Sequence, residues 1–577
     1  MSMASSRELE RSKELSVDAL RSALQVEAEG HLQAAASLRV RMNTLIPVAR
    51  LPPEILSHIF ALYAAITQDY WTYSRRKVSQ YDWIAITHVC HRWREDALGN
   101  PNLWSNIQTS FSSVKWVDEY LARSKQSALD VVISNTEKPG RWPLMMQKIA
   151  REASRLKTLL IYLNHRLFPS ALTDSFPPST PLLHSLTLRG AVNHTSRSGV
   201  NHPLPVPLTT WSMPSLQRLD IASLSVDWTG LTLPHSLVVL KVTSSRSSPP
   251  ASVTSVVRVI GQLPELETLE LHLVDFVWSP ADDIAPLPFR LVYLPKLKSI
   301  TLCAPTSQLA CLLDHLLLPA STMVKLLINQ SFNPSQMSRL AHSLTSRRSN
   351  ALDEDTRQWI RKVRVMAFTL AITKKASAIL AFEDPQIFLT LSRRAGGRDA
   401  VIRELLPHLP LHSVEELVLS DVPYASQDLY KALLAMPNVR NLTLECERPG
   451  LPVIQELLRM TLPDIGSAHG LQHKTQVLLP LLADLTLSEI RFRDLQDLRN
   501  HSRGISQSFQ FVEELCQTIQ DRKNHGSMLN KLTIQNCPNV HSDDVERLEK
   551  VVSVDWDHEA IWEESDSEDE DGSDSGY

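Results

Sequence analysis

The sequence predicts an α plus α/β protein: a long N-terminal helix, a small all-α segment, then an irregular repeat solenoid built on one curved parallel sheet. Three observations predict it. Residues 7–45 contain no proline and many good helix formers. Residues 51–104 hold two proline-bounded amphipathic stretches. From residue 156 onward the pattern Lxx[LI]x[LI] recurs until the chain is nearly finished. The expected boundaries are 1–46 for the helix, 47–110 for the all-α segment, 111–558 for the solenoid and 559–577 for an acidic tail.

In the N-terminal helix Val17, Leu24, His31, Leu38 and Leu45 recur every seven residues, and Ala28, Ala35 and Met42 interleave with them. This is the spacing of a coiled-coil seam. His31 and the surrounding alanine and serine make a weak one, so a monomeric helix folded back on the next segment is expected over a dimerisation arm. Pro47 ends it.

The next stretch opens LPPEILSHIFALY. Ile55, Leu56, Ile59, Phe60 and Tyr63 fall at helical spacing behind Pro52 and Pro53, which suit a helix start because their missing N–H groups are not needed there. One short helix is predicted. Ile86, Val89, Cys90, Trp93 and Ala97 repeat the device on a second helix, with His91, Arg92, Arg94 and Glu95 facing elsewhere until Asn100-Pro101 stops it.

These residues resemble a known family, the F-box, in its fungal, basidiomycete-type F-box-like form. Leu51, Pro52, Glu54, Ile55, Ile59 and Phe60 match its opening; Val89, Cys90, Trp93, Arg94, Pro101, Leu103 and Trp104 match its close. An insertion at 68–81 separates the halves. The resemblance implies docking to a Skp-type adaptor and, through it, to a cullin-RING ubiquitin ligase. It implies Leu51, Pro52, Ile55, Leu56, Ile59, Phe60, Val89, Cys90, Trp93, Leu103 and Trp104 as adaptor-binding residues.

After residue 104 short strands are predicted at Leu156-Leu159-Ile161, Leu183-Leu186-Leu188, Leu216-Leu219-Ile221, Leu237-Leu240-Val242, Leu266-Leu269-Leu271 and Leu297-Ile300-Leu302. The series continues at Met323-Leu326-Ile328, Val414-Leu417-Leu419, Val439-Leu442-Leu444, Leu482-Leu485-Leu487 and Leu529-Leu532-Ile534. Each alternates apolar and polar residues. Helices are expected between several of them, at 255–263, 308–318, 427–436 and 512–521. A unit of this kind cannot cover its own apolar face, and stacking supplies the cover. The array resembles the leucine-rich-repeat family, in a degenerate form. Only the last unit, LNKLTIQNCPNVHSDDVERLEKV, has the full pattern, with Cys537 at its ladder position and Val540, Val545 and Leu548 behind; at the earlier ladder positions stand residues such as Val274, Pro305 and Val422. Segment 346–398 fits least, although Val363-Met366-Phe368 reads as one more strand.

The solenoid reading has a sharp consequence. The strands from 186–188 to 532–534 lie side by side in chain order as one parallel sheet, with Leu219, Leu269, Leu417, Leu442, Leu485 and Leu532 in the core. Asp220, Glu270, Val418, Thr443 and Thr486 then face the concave side and are the expected target-binding residues.

Composition excludes other classes. A chain of 577 residues with 43% hydrophobic and 21% charged residues suits a globular interior. No apolar run reaches membrane-spanning length and the N-terminal residues are too polar for a secretory signal, so a cytoplasmic or nuclear protein is expected, without membrane contact. The six cysteines, Cys90, Cys303, Cys311, Cys446, Cys516 and Cys537, form no CxxC pair, so reduced thiols are expected and no metal. His88-Val-Cys90-His91 reads as helix packing, and His469 and His473 lack a third ligand. Only 16 glycines occur, in neither a GxGxxG nor a GxxxxGK[ST] arrangement, so no cofactor is implied. No GxSxG is present, and carboxylate pairs such as Asp282-Asp283 have no partner base, so a non-enzyme is expected. The formal charge of −4 includes eight acids and no base at 563–574, and what remains is not basic enough for nucleic acid. That tail should be disordered, with Ser565 and Ser567, each followed three residues later by an acid, as phosphorylation candidates.

The expected function is therefore a substrate-recognition subunit that recruits an unknown target protein to the ligase. A non-catalytic scaffold without ligase association is the alternative.

Overall fold

The computed structural model describes residues 3–73, 81–109, 113–134, 142–163, 176–190, 212–244, 252–273, 291–319, 321–328, 334–346, 362–366, 369–373, 387–391, 405–420, 427–445, 478–490, 492, 507–538 and 540–558. The chain divides into two compact units, Met1–Ser185 with Trp211–Met213, and Leu186–Thr210 with Pro214–Tyr577. Among the described residues no helix is long and apolar enough to cross a membrane.

The first unit begins with α1 (Met3–Thr44), the single long helix that the proline-free composition predicts. It does not fold back on the next segment. Every described side chain from residue 17 to residue 42 is exposed, so its apolar stripe is not covered by any of the described residues. A 3-10 turn (Pro47–Arg50) leads to α2 (Pro53–Tyr73), which starts on the second proline as expected but is longer than predicted, continuing through residues 68–73 of the insertion.

The second predicted helix is not continuous. Residues Asp82–His88 form a 3-10 helix, and Cys90, with φ −157° and ψ 169°, breaks the chain before α3 (His91–Gly99). The Cys90 thiol sulfur caps that helix by accepting the Trp93 N–H at 3.5 Å, so the residue read as part of an apolar face sits at a helix end instead. A 3-10 turn at Pro101–Trp104, capped by Asn100, closes the segment. Beyond it β1 (Asn106–Gln108), α4 (Val114–Arg123), β2 (Leu129–Ser134), α5 (Trp142–Arg151) and β3 (Leu156–Leu163) complete the unit, with β1, β2 and β3 parallel in that order.

The second unit carries β4 (Ser185–Gly190), β5 (Arg218–Leu224), β6 (Val239–Ser244), α6 (Val253–Ile260) and β7 (Thr268–His272). It goes on through β8 (Val292–Tyr293), β9 (Ser299–Ala304), α7 (Thr306–Asp314), β10 (Leu316–Leu317), β11 (Met323–Ile328) and α8 (Pro334–Ser346). Then come β12 (Lys362–Met366), β13 (Thr369–Thr373), β14 (Ile387–Leu391), β15 (Glu416–Ser420), α9 (Gln427–Leu434) and β16 (Asn441–Glu445). The last elements are β17 (Asp484–Ser488), α10 (Gln507–Asn524), β18 (Lys531–Gln535), α11 (Ser542–Glu549) and β19 (Ser553–Trp556).

Strands β5, β6, β7, β9 and β11 pair in parallel in chain order, and β15 to β19 do the same. Register holds Leu417, Leu442, Leu485 and Leu532 opposite one another, and each is 0 or 1% exposed, as the alternating pattern predicts. Several strands are entered through a turn whose second residue is proline: the Leu266 N–H donates to the Leu263 carbonyl across Pro264, and Leu297 to Leu294 across Pro295, both at 3.3 Å. This is the physical content of the LPELETLEL and LPKLKSITL stretches.

The single parallel sheet in unbroken chain order is corrected between β11 and β15. There β11 pairs with β14, β14 antiparallel with β13, β13 antiparallel with β12, and β12 parallel with β15. The order reverses over three strands; two residues separate β12 from β13, too few for a crossover, so those two neighbours are antiparallel. These strands occupy the 346–398 segment whose sequence fits the repeat least, and β12 coincides with the predicted strand at Val363.

Outside the described residues lie the acidic tail with Ser565 and Ser567, Cys446, His469, His473, Asp282, Asp283, Val274, Val422 and most of the serine- and proline-rich loops.

Candidate docking surfaces

The α2 helix is apolar on two sides. Leu56, Phe60, Ala64 and Thr67, spaced by four and three residues, are buried, and Phe60 meets the Trp93 ring edge-on at 5.1 Å. Behind them Trp83, Trp104 and Tyr120 form a cluster of edge-to-face rings: Trp83 and Trp104 are 5.1 Å apart, as are Trp104 and Tyr120. Burial pushes the Tyr120 phenol well above its ordinary pKa. The Trp104 indole N–H donates to the Ala97 carbonyl at 3.0 Å, and Arg123 stacks 4.9 Å above the same ring.

On the neighbouring side Ile55, Ile59, Leu62, Tyr63 and Ile66 follow helical spacing and are all 40 to 54% exposed. Polar residues are the ordinary occupants of such a face, and an exposed stripe of aliphatic side chains on a short domain marks an interaction surface. The Arg92 guanidinium braces the entry to α2 by donating to the carbonyls of Ala49 and Leu51, and Arg94 Nε donates to the Thr87 carbonyl at 2.8 Å. The surface is therefore presented by a fixed backbone.

The eleven residues expected to meet an adaptor divide accordingly. Pro52, Ile55, Ile59 and Val89 are exposed, and Leu51, Cys90 and Trp93 are half-buried. Leu56, Phe60, Leu103 and Trp104 are at most 4% exposed and build the core beneath the surface. Leu62 and Ile66 were missed by sequence reasoning, although they continue the Ile55–Ile59 stripe at seven and eleven residues from its start.

In the second unit the side chains that alternate with the buried leucines form rows across the opposite sheet face. One row runs Asp220, Lys241, Glu270, Thr301 and Lys325; another runs Val418, Thr443, Thr486, Thr533 and Asp555. All five expected target-binding residues stand in these rows. The first is charged and internally paired: Arg189 meets Asp220 at 3.4 Å, Lys241 meets Glu270 at 2.7 Å, and His272 meets Glu270 at 3.0 Å. Desolvation is the largest influence on Glu270 and opposes its charge, but the hydrogen bonds and charges of Lys241 and His272 together outweigh it and hold its carboxyl below the usual range. The second row is mostly uncharged, and Val418 is only 7% exposed even on this face. Cys537 holds its ladder position: the buried thiol donates to the Leu487 carbonyl of the preceding strand at 3.4 Å, and burial pushes its pKa up to about 11. Among the described residues no group of three His, Cys, Asp or Glu side chains could hold a metal ion.

Residues 48–110 match the F-box-like family. The F-box-like segment thus contains both the α2 stripe and most of the aromatic cluster that supports it. No curated protein matches this sequence. Among solved structures, the chain is similar to the leucine-rich repeat-containing protein LegL7 from Legionella pneumophila, with 13% identity over 67% of this chain and 98% of that chain and a TM-score of 0.24. A likeness of that size carries no weight; the repeat character rests on the strand register itself.

Proposed function

We propose that this protein is the substrate-recognition subunit of a Skp-cullin-F-box type ubiquitin ligase, working in the cytoplasm or nucleus. The observation that carries the proposal is the exposed stripe of Ile55, Ile59, Leu62, Tyr63 and Ile66, which lies inside the F-box-like segment and is left uncovered by the described residues. It docks the Skp-type adaptor, and the outward sheet rows of the second unit hold the target protein. The subunit contributes proximity, raising the effective concentration of target beside ubiquitin-transferring partners, and performs no chemistry itself.

Capture of a purified Skp-type adaptor on the immobilised full chain tests this. Binding that is abolished by Ile55→Asp with Ile59→Asp supports the ligase role. An intact chain that leaves the adaptor in solution supports the alternative, a non-catalytic scaffold whose stripe serves another protein.

A further inference from the structure

The α1 helix poses a separate problem. It exposes Val17, Leu20, Leu24, Leu38 and Met42, each between 56 and 68%, and it buries none of its described apolar side chains. An isolated helix of this composition is marginal in water, because helices in proteins are held chiefly by packing an apolar face. A covering partner would satisfy the stripe, and the helix carries the complement to itself. We infer that α1 pairs antiparallel with the α1 of a second copy.

The orientation follows from size and charge along the stripe. With the helices antiparallel and centred near residue 33, Met42 lies over the partner copy's Leu24, Leu38 over its Ala28, and His31 over its Ala35. Large residues then face small ones or a single long one, which fills the seam without overlap. On one flank of this stripe Glu27 comes beside Arg41 of the other copy, twice by symmetry. In a parallel pair His31 would face His31 and Met42 would face Met42, while the flanking positions would set Glu27 beside Leu32 and Arg39 beside Ala34, so that neither of these charges meets an opposite one in the other copy. Within one helix Glu27 lies 3.8 Å from His31 and both side chains are largely exposed, so Glu27 is free to turn towards a partner. The seam lacks strong central residues, which fits a reversible dimer.

Sedimentation and light scattering of the full chain decide the matter. At about 50 µM, above the micromolar dissociation constant expected of such a pair, the mass should be near twice 65.0 kDa. Leu24→Asp with Leu38→Asp should return it to the single-chain mass, and since both sites are exposed in the single chain the rest of the fold is unaffected. Glu27→Arg or Arg41→Glu alone should weaken association roughly tenfold, and the two together should restore it. A single-chain mass for the unaltered protein overturns the proposal, as does a dimer that survives the double aspartate variant. A charge swap that restores nothing overturns the antiparallel arrangement.

Discussion

Ile55 and Leu56 are adjacent in sequence and stand on different faces of α2, Ile55 48% exposed and Leu56 fully buried. One residue's step around a helix is about 100°, so the boundary between core and surface runs between them. The two therefore answer different questions when altered. Ile55→Asp leaves the core intact, should hardly change stability, and should weaken adaptor binding by about 2 kcal/mol or more, roughly thirtyfold. Leu56→Asp buries a charge and should destabilise the first unit by about 4 kcal/mol or more. Thermal unfolding together with adaptor titration separates them; equal effects on both readouts would refute the division of the helix.

Gly190 at the end of β4 lies against a kink in β5. A side chain there would bring Cβ within 2.3 Å of the Ser223 carbonyl oxygen, where Ser223 has φ 57° and the pairing of β5 with β6 slips between Ala222 and Leu224. Backbone cannot yield as a flexible side chain can. Gly190→Ala should cost about 1–3 kcal/mol in urea unfolding, and an unchanged midpoint would show that the bulge relaxes freely.

Arg522 on α10 is 1% exposed and donates to the carbonyls of Leu478 and Leu479 at 2.9 and 2.7 Å and to Ser527 Oγ at 2.8 Å. Burial lowers its pKa to about 10, which leaves it charged at neutral pH. It fixes the turn before β17 and the turn before β18 at once. Arg522→Met keeps most of the volume but strands those acceptors, and should destabilise the second unit by about 2–4 kcal/mol. Arg522→Lys should recover only part, because a single ammonium cannot reproduce the planar fork. Full recovery by lysine would mean that charge rather than geometry matters.

Cys303 and Cys537 are buried thiols whose pKa values burial raises to about 11. The thiolate is the reactive form, so at pH 8 both should resist alkylation in the native protein and react fully in denaturant. Mass spectrometry after timed alkylation checks this. Rapid native labelling of Cys537 would contradict its place in the ladder.

The alternation within each strand was legible in the sequence because the pleat is local: Leu219, Leu269, Leu442 and Leu532 had to share a face once their strands formed, and all are buried. The long α1 helix and the proline starts of α2 and of several strands were legible for the same reason, since proline and helix propensity act within a few residues. The order of the sheet was not. Segment 346–398 fits the repeat least, but nothing in it announces the reversed, partly antiparallel placement of β12 to β14, which depends on neighbours far along the chain. Nor could the sequence divide α2, whose residues are apolar on two faces: Leu56 and Phe60 are core because Trp93, Trp83 and Trp104 come to rest near them, and Ile55 and Ile59 stay exposed because no described residue packs over them. Helical spacing decides which side chains share a face, but burial is a property of what packs against that face, and only the tertiary structure supplies it.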